Sequence, residues 1–214
     1  MHAFGIPITQ AIEASSANQA MVAAESLGFP VCLKVNSPNL THKSDVGGVK
    51  LNVPTVQAVR DEFKQMMSRI KAAEPEADIL GVTVEPMFKS SSARELIIGA
   101  IRDPVFGPAI TFGSGGTMVE VLKDLSIGLP PLNSFIANRM ITRTKVSKML
   151  GAFRGQPAVD VSAIVNVMLR VSDMVSQLPE IIELDINPLL ADEHGVMAVD
   201  ARIQSMEKNG TTTQ

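Results

Sequence analysis

The chain has 214 residues, 19 Lys and Arg against 22 Asp and Glu, and a formal net charge of −3. With 45% hydrophobic and 19% charged residues it reads as a globular protein, large enough for one sizeable domain or two small ones. No basic field points to nucleic acid, and without Trp or Tyr neither the stacking platforms of single-strand binders nor an interfacial aromatic belt is well supplied.

The start, "MHAFGIPITQ", carries no charged-then-apolar leader, and no apolar run reaches the roughly 18 residues of a membrane span. A cytoplasmic location is the expectation, with no membrane contact. "SSANQAMVAAESLGF" places Ser16 and Gln19 at capping-box spacing and stops at Gly28, which predicts a helix. "VCLKVN" (31–36) is a short apolar strand. It contains the lone Cys32, read as a buried small hydrophobe in a reducing compartment. "GGVKLNV" (47–53) alternates apolar and polar residues, so a strand pairing with 31–36 is predicted. Residues 55–73 put Val56, Val59, Phe63, Met66, Met67 and Ile70 on one helical stripe.

Strands follow at 79–88, 95–102 and 108–112, the first two joined by the polar loop "KSSSAR". After the glycine loop "GSGGT" (113–117), residues 130–150 read as partly helical. Residues 160–178 read as a long amphipathic helix with Asp160 as N-cap. "IIELDIN" (181–187) and "VMAVD" (196–200) are predicted to form a hairpin around "ADEHG". Strands and helices mix without a βαβ rhythm, which predicts an α+β fold.

Three groups of residues carry possible chemistry. Lys34 on a strand beside Gly47 and Gly48 suits a phosphate. The glycines let the main chain approach with free N–H groups while the ammonium neutralises the anion. A solvated edge lysine has the same pattern, and no G-x-x-x-x-G-K-[ST] loop is present. Glu183, Asp185 and Asn187 alternate, so they share one side of a strand, and Asp200 follows near the paired strand's end. Hard oxygens from two adjacent strands are what Mg²⁺ uses when phosphates complete its shell, although a polar sheet face in water reads the same way. His42, in "THKSDVGGV", suits a general base, a metal ligand or a covalent phosphoryl acceptor. No second His or Cys lies at zinc-ligand spacing.

Lys34, "THKSDVGGV", "VEPM", "ELIIGAIRDPVFGP", "FGSGGTMVE" and "ELDINPLL…AVDAR", in that order, resemble the ATP-grasp domain of NDP-forming acyl-CoA synthetases. The resemblance runs from "GIP" at 5–7 to about residue 203. It implies the ATP-grasp fold, with two α+β lobes holding ATP or ADP and Mg²⁺. The expected division is a lead-in at 1–18, a first lobe at 19–110, a second lobe at 111–203 and a tail at 204–214. By resemblance, Lys34 contacts the phosphates and Gly47 and Gly48 belong to a hairpin lid. Glu85 lies near the adenine amino group and ribose, the backbone at Met87 and Phe88 reads the adenine edge, and Glu95 is a second nucleotide-contacting acid. Asn187 and Asp200 match Mg²⁺ ligands, with Asp185 beside them. His42 would relay a phosphoryl group between the nucleotide and a phosphohistidine on a separate CoA-ligase domain.

The chain has no G-x-G-x-x-G for CoA and no second histidine motif. The resemblance therefore implies partners: CoA-binding and CoA-ligase domains that hold the acyl-CoA, in an α subunit or in the same polypeptide. The stub before "GIP" favours a piece of a fused chain. A competing expectation is a non-catalytic, synthetase-like regulatory domain of a protein lysine acetyltransferase. An ATP-grasp carboxylate–amine ligase, which does not require the loop histidine, is a third.

Overall fold

The computed structural model describes residues 1–40, 43–88, 90, 92–116, 124–153 and 155–206. The chain makes two compact units. One is Thr9–Lys89, and the other joins Met1–Ile8 to Ser90–Gln214.

The Thr9–Lys89 unit is an antiparallel sheet with two helices. Its strands are β1 (Ile12–Ala14), β2 (Val31–Asn36), β3 (Val49–Val53) and β4 (Gly81–Pro86), in the order β1-β4-β2-β3. Helix α1 (Ala17–Leu27) begins at Ser16, whose side chain accepts the Gln19 N–H. Gln19 Oε1 reaches back to the Ser15 N–H, one residue earlier than in the expected box. Helix α2 (Val56–Ala73) is capped by Thr55, which accepts from the Ala58 N–H, a cap that contributes about 1 kcal/mol. The period of 3.6 puts Val59, Phe63, Met66 and Ile70 on one face. The period of 2 puts Val31, Leu33 and Val35 of β2, with Val82 and Val84 of β4, on the sheet face that meets it. Lys34 and Glu85 therefore project from the other face.

The second unit holds β5 (Arg94–Asp103), β6 (Gly107–Ser114), β7 (Leu125–Gly128), α3 (Ser134–Thr142), α4 (Val161–Gln177), β8 (Ile181–Asp192), β9 (Gly195–Ala198) and β10 (Ala201–Ser205). The strands are antiparallel in the order β10-β8-β5-β6-β7, with β9 also on β8. Asp160 caps α4 through the Ala163 N–H, as its position predicts. Ile98, Ala100, Ile110, Phe112, Leu184 and Ile186 bury one sheet face against Ile164, Met168, Val171 and Val175 of α4. The first residues close this unit: the Pro7 carbonyl accepts the Ala198 N–H at 2.9 Å.

Three expectations differ from what is found. The boundary falls at 89/90 rather than 110, because β5 pairs with β8 and β6 and so belongs to the second sheet. That boundary also puts the 79–88 and 95–102 strands, adjacent in sequence, in different sheets. Residues 1–18 are no single lead-in: 1–8 join the second unit, and Ile12–Ala14 is a strand of the other. Finally, the hairpin at "ADEHG" pairs 189–192 with 195–198, whereas 181–186 pair with β10.

Candidate functional site

Within the Thr9–Lys89 unit, the register places Cys32 opposite Glu85 and Lys34 opposite Thr83. The diagonal neighbours Lys34 and Glu85 meet as an ion pair, Nζ to Oε2 at 2.8 Å, with 13% and 9% of their side-chain surfaces exposed. Thr83 Oγ1 donates to Glu85 Oε1 at 3.4 Å. An enclosed pair costs desolvation, and each partner makes the other's charge tolerable there. The sequence reading named both residues but not their contact.

The glycine turn departs from expectation. Its N–H groups are not free: Gly47 donates to the Ser44 carbonyl at 3.1 Å and Gly48 to the Lys43 carbonyl at 2.7 Å, while the Gly48 carbonyl accepts the Val35 N–H. Glycine is required at both positions. Gly47 has φ 66°, and a Cβ on Gly48 would lie 2.6 Å from Val35 Cγ1 and 2.8 Å from the Lys43 carbonyl oxygen. The Met87 N–H donates to the Pro30 carbonyl at 3.3 Å, so this part of the expected adenine edge is used by the protein itself; Phe88 is half-buried. His42 lies outside the described residues.

The second unit gathers the remaining candidates on and beside β8. Asp185, Asn187 and Asp200 come together because the Asn187 N–H donates to the Asp200 carbonyl at 3.1 Å, where the chain passes from β9 to β10. Gly116 links Asn187 to Glu95. Its N–H donates to Asn187 Oδ1 at 2.9 Å, and a Cβ there would lie 1.8 Å from Glu95 Oε2. The Gly115 N–H donates to the Glu95 carbonyl at 2.8 Å, so these two amides of the "GSGGT" loop are also engaged.

Burial pushes the Asp185 carboxyl above the ordinary carboxylate range. The nearby charges of Glu183 and Asp200 add to this, and Arg202 works in the opposite direction. Two mutually repelling carboxylates and an amide oxygen form a hard, anionic donor set, which fits Mg²⁺. Among the described residues no group of three or more His, Cys, Asp or Glu is placed to hold a metal ion.

The sequence missed the row in which Asp185 stands. Ile127, Thr111, Gly99, Asp185 and Arg202 lie side by side across β7, β6, β5, β8 and β10. A Cβ on Gly99 would meet Thr111 Oγ1 at 2.7 Å and approach Asp185 Oδ1, so glycine leaves room beside the carboxylate. Ile101 and Ile127, 54% and 65% exposed, add apolar surface to this face. Only the strand register reveals such a row; the alternation of β5 alone does not.

An antiparallel α+β unit with an enclosed lysine–glutamate pair, and a second with an acid-and-amide cluster on one strand, define the class. The ATP-grasp domain model matches residues 1–204, and the chain belongs to that family. It is 39% identical over 200 residues to the β subunit of an ADP-forming acetate–CoA ligase of Pyrococcus furiosus, covering 94% of this chain and 85% of that one. It is 41% identical over 203 residues to an ADP-forming acetate–CoA ligase of Archaeoglobus fulgidus, covering 95% of this chain but 29% of that longer protein. Among solved structures, an acetyl-coenzyme A synthetase of Ca. Korarchaeum cryptofilum in complex with coenzyme A and Ca-AMPCP superposes with a TM-score of 0.91 at 40% identity, over 96% of this chain and 89% of that one. A second structure of that enzyme holds coenzyme A and Mg-AMPPCP, with its phosphohistidine segment pointing towards the nucleotide binding site. It superposes with a TM-score of 0.83 at 36% identity, over 96% and 88% of the two chains.

Proposed function

We propose that this chain is the nucleotide-binding ATP-grasp part of an ADP-forming acyl-CoA synthetase, exchanging a phosphoryl group between ADP or ATP and a phosphohistidine on a CoA-ligase partner. The observation that carries this reading is the close superposition on a synthetase holding Mg-AMPPCP with its phosphohistidine segment turned to the nucleotide. The partner is an α subunit or a further part of the same polypeptide, since one relative is a β subunit and another a chain more than three times as long as the matched region.

Lys34 is the cation for the phosphates, with Glu85 fixing where its ammonium points. Asp185, Asn187 and Asp200 are the Mg²⁺ donors, and Gly116 aims the Asn187 oxygen rather than its NH₂ group. Bound there, Mg²⁺ supplies neutralisation of the charge on the phosphate oxygens. Glu95 stands beside this set, and Met87 and Phe88 line the adenine end. Since the Gly47 and Gly48 N–H groups are engaged within their turn, those glycines serve by keeping the turn thin.

In the proposed relay, a neutral nitrogen of His42 attacks phosphorus as the partner histidine's P–N bond breaks, and a β-phosphate oxygen of ADP then displaces His42. The relay conserves the phosphoryl group and calls for no outside reactant.

Calorimetric titration of Mg²⁺–ADP, with the CoA-ligase partner present, tests this. Wild type binds, and Lys34→Ala or Asp200→Ala abolishes binding. His42→Ala keeps binding but loses ATP formation. A wild-type chain with no affinity for Mg²⁺–ADP would overturn the proposal.

A further inference from the structure

Helix α2 carries a charge network that the nucleotide reading does not use. Glu62 is 9% exposed, an unusual setting for a carboxylate on a surface helix. Arg69, two turns along and on the same side of α2, donates from its Nη2 to Glu62 Oε1 at 3.0 Å; Lys50 Nζ lies 3.9 Å from Glu62 Oε2. The same Arg69 Nη2 donates to the Gly47 carbonyl at 2.6 Å, and Arg69 Nε donates to it at 3.2 Å. A guanidinium is a rigid planar fork, and Glu62 fixes its plane, so it meets the carbonyl already aimed.

The Gly47 carbonyl and the Gly48 N–H belong to one planar peptide unit and point in opposite directions. With the oxygen held by Arg69, the N–H is turned inward to the Lys43 carbonyl at 2.7 Å. The turn accommodates this because Gly47 has φ 66° and no side chain; a Cβ there would lie 2.6 Å from Arg69 Nε. A chain of hydrogen bonds thus runs from Glu62 through Arg69 and one peptide plane to the backbone of residue 43, which directly follows His42 in sequence.

We infer that Arg69, aimed by Glu62, is a positioning residue for phosphoryl transfer: it clamps the Gly47–Gly48 peptide and so fixes the turn of residues 43–48, which follows His42 in sequence. The inference rests on the proposed relay role of His42. Arg69 touches no reacting group; its effect is on placement, where a displacement of about 1 Å can cost on the order of a hundredfold in rate.

The test measures ATP formation from Mg²⁺–ADP by the chain with its phosphorylated CoA-ligase partner, for wild type, His42→Ala, Arg69→Ala, Arg69→Lys and Glu62→Gln. Arg69→Ala should lower kcat about tenfold to a hundredfold with KM for Mg²⁺–ADP within about twofold. Arg69→Lys, which can still donate to the Gly47 carbonyl, should recover part of the loss, and Glu62→Gln should fall between. Amide hydrogen exchange at Gly48 should speed up in Arg69→Ala while Leu33 in β2 stays protected, which a general loosening of the unit would not produce. If His42→Ala turns over like wild type, the relay reading fails and the clamp falls with it. If His42→Ala is inactive and Arg69→Ala keeps wild-type kcat, or loses kcat and Leu33 protection together, the clamp alone is overturned.

Discussion

Lys34 Nζ lies 2.8 Å from Glu85 Oε2, so the cation proposed for the phosphates is already paired with an acid on the adjacent strand. The pair makes separable demands on stability and binding. Removing Lys34 alone leaves an enclosed carboxylate without its cation, at a cost of up to about 3–5 kcal/mol for a fully buried pair and less for this partly solvated one. Lys34→Met combined with Glu85→Gln should recover most of that loss in urea unfolding, yet still fail to bind Mg²⁺–ADP by calorimetry. Wild-type affinity in the double variant would remove Lys34 from the phosphate site.

Asp185 gives a pH dependence of defined sign. Its carboxyl titrates above the unfolded value of 3.8 because burial and the charges of Glu183 and Asp200 oppose ionisation. The folded state therefore holds this proton more tightly than the unfolded chain does, and stability falls as pH rises from the unfolded pKa through the raised folded one. Above that window the penalty is present in full. Asp185→Asn should raise the thermal midpoint at neutral pH without divalent cation and flatten the dependence across that window. In wild type, Mg²⁺ should stabilise at neutral pH and lose that effect on acidification, as protons compete for the site. A thermal scan against pH, with and without Mg²⁺, checks both.

Gly116 links Glu95 to Asn187, and its φ of 74° disfavours any other residue. Gly116→Ala adds about 1–2 kcal/mol of backbone strain and a methyl group where Glu95 Oε2 now lies. Weaker Mg²⁺–ADP binding should result, by tenfold or more, because the loop must shift to make room for the methyl group and carries the backbone N–H of residue 116 away from the Asn187 oxygen it aims. Gly116→Asn tolerates the φ better but still carries the Cβ, and should be no improvement. Unchanged affinity in both would dissociate the loop from the metal set.

Much of the fold was legible because its signals are local. The caps at Ser16 and Asp160, the stripe on α2, the apolar run of β2 and the alternation in β3 each follow from neighbouring residues, and each corresponds to an observed element. What escaped was non-local. Nothing in "VTVEPMF" and "ELIIGAIR" says that two consecutive strands enter different sheets; that depends on which partners bury their apolar faces. The candidate site divides along the same line. Strand alternation already put Asp185 and Asn187 on one side, but the contacts of Gly116 with Glu95 and Asn187, and of Arg69 with Gly47, join residues far apart in sequence. The assumption of free N–H groups at Gly47 and Gly48 failed for a physical reason: a tight turn satisfies its own amides first.

The hydrogen bond from Ala198 to Pro7 has a consequence for assembly during synthesis. The stretch from residue 9 to 89 owns all four strands and both helices of its sheet, so it can close as soon as it clears the ribosome. Residues 1–8 must wait for a segment made almost two hundred residues later. Synthesis order and spatial order therefore disagree: residues 1–8 are made before the Thr9–Lys89 unit yet find their place after it, and the long loop they close makes that step entropically costly and slow.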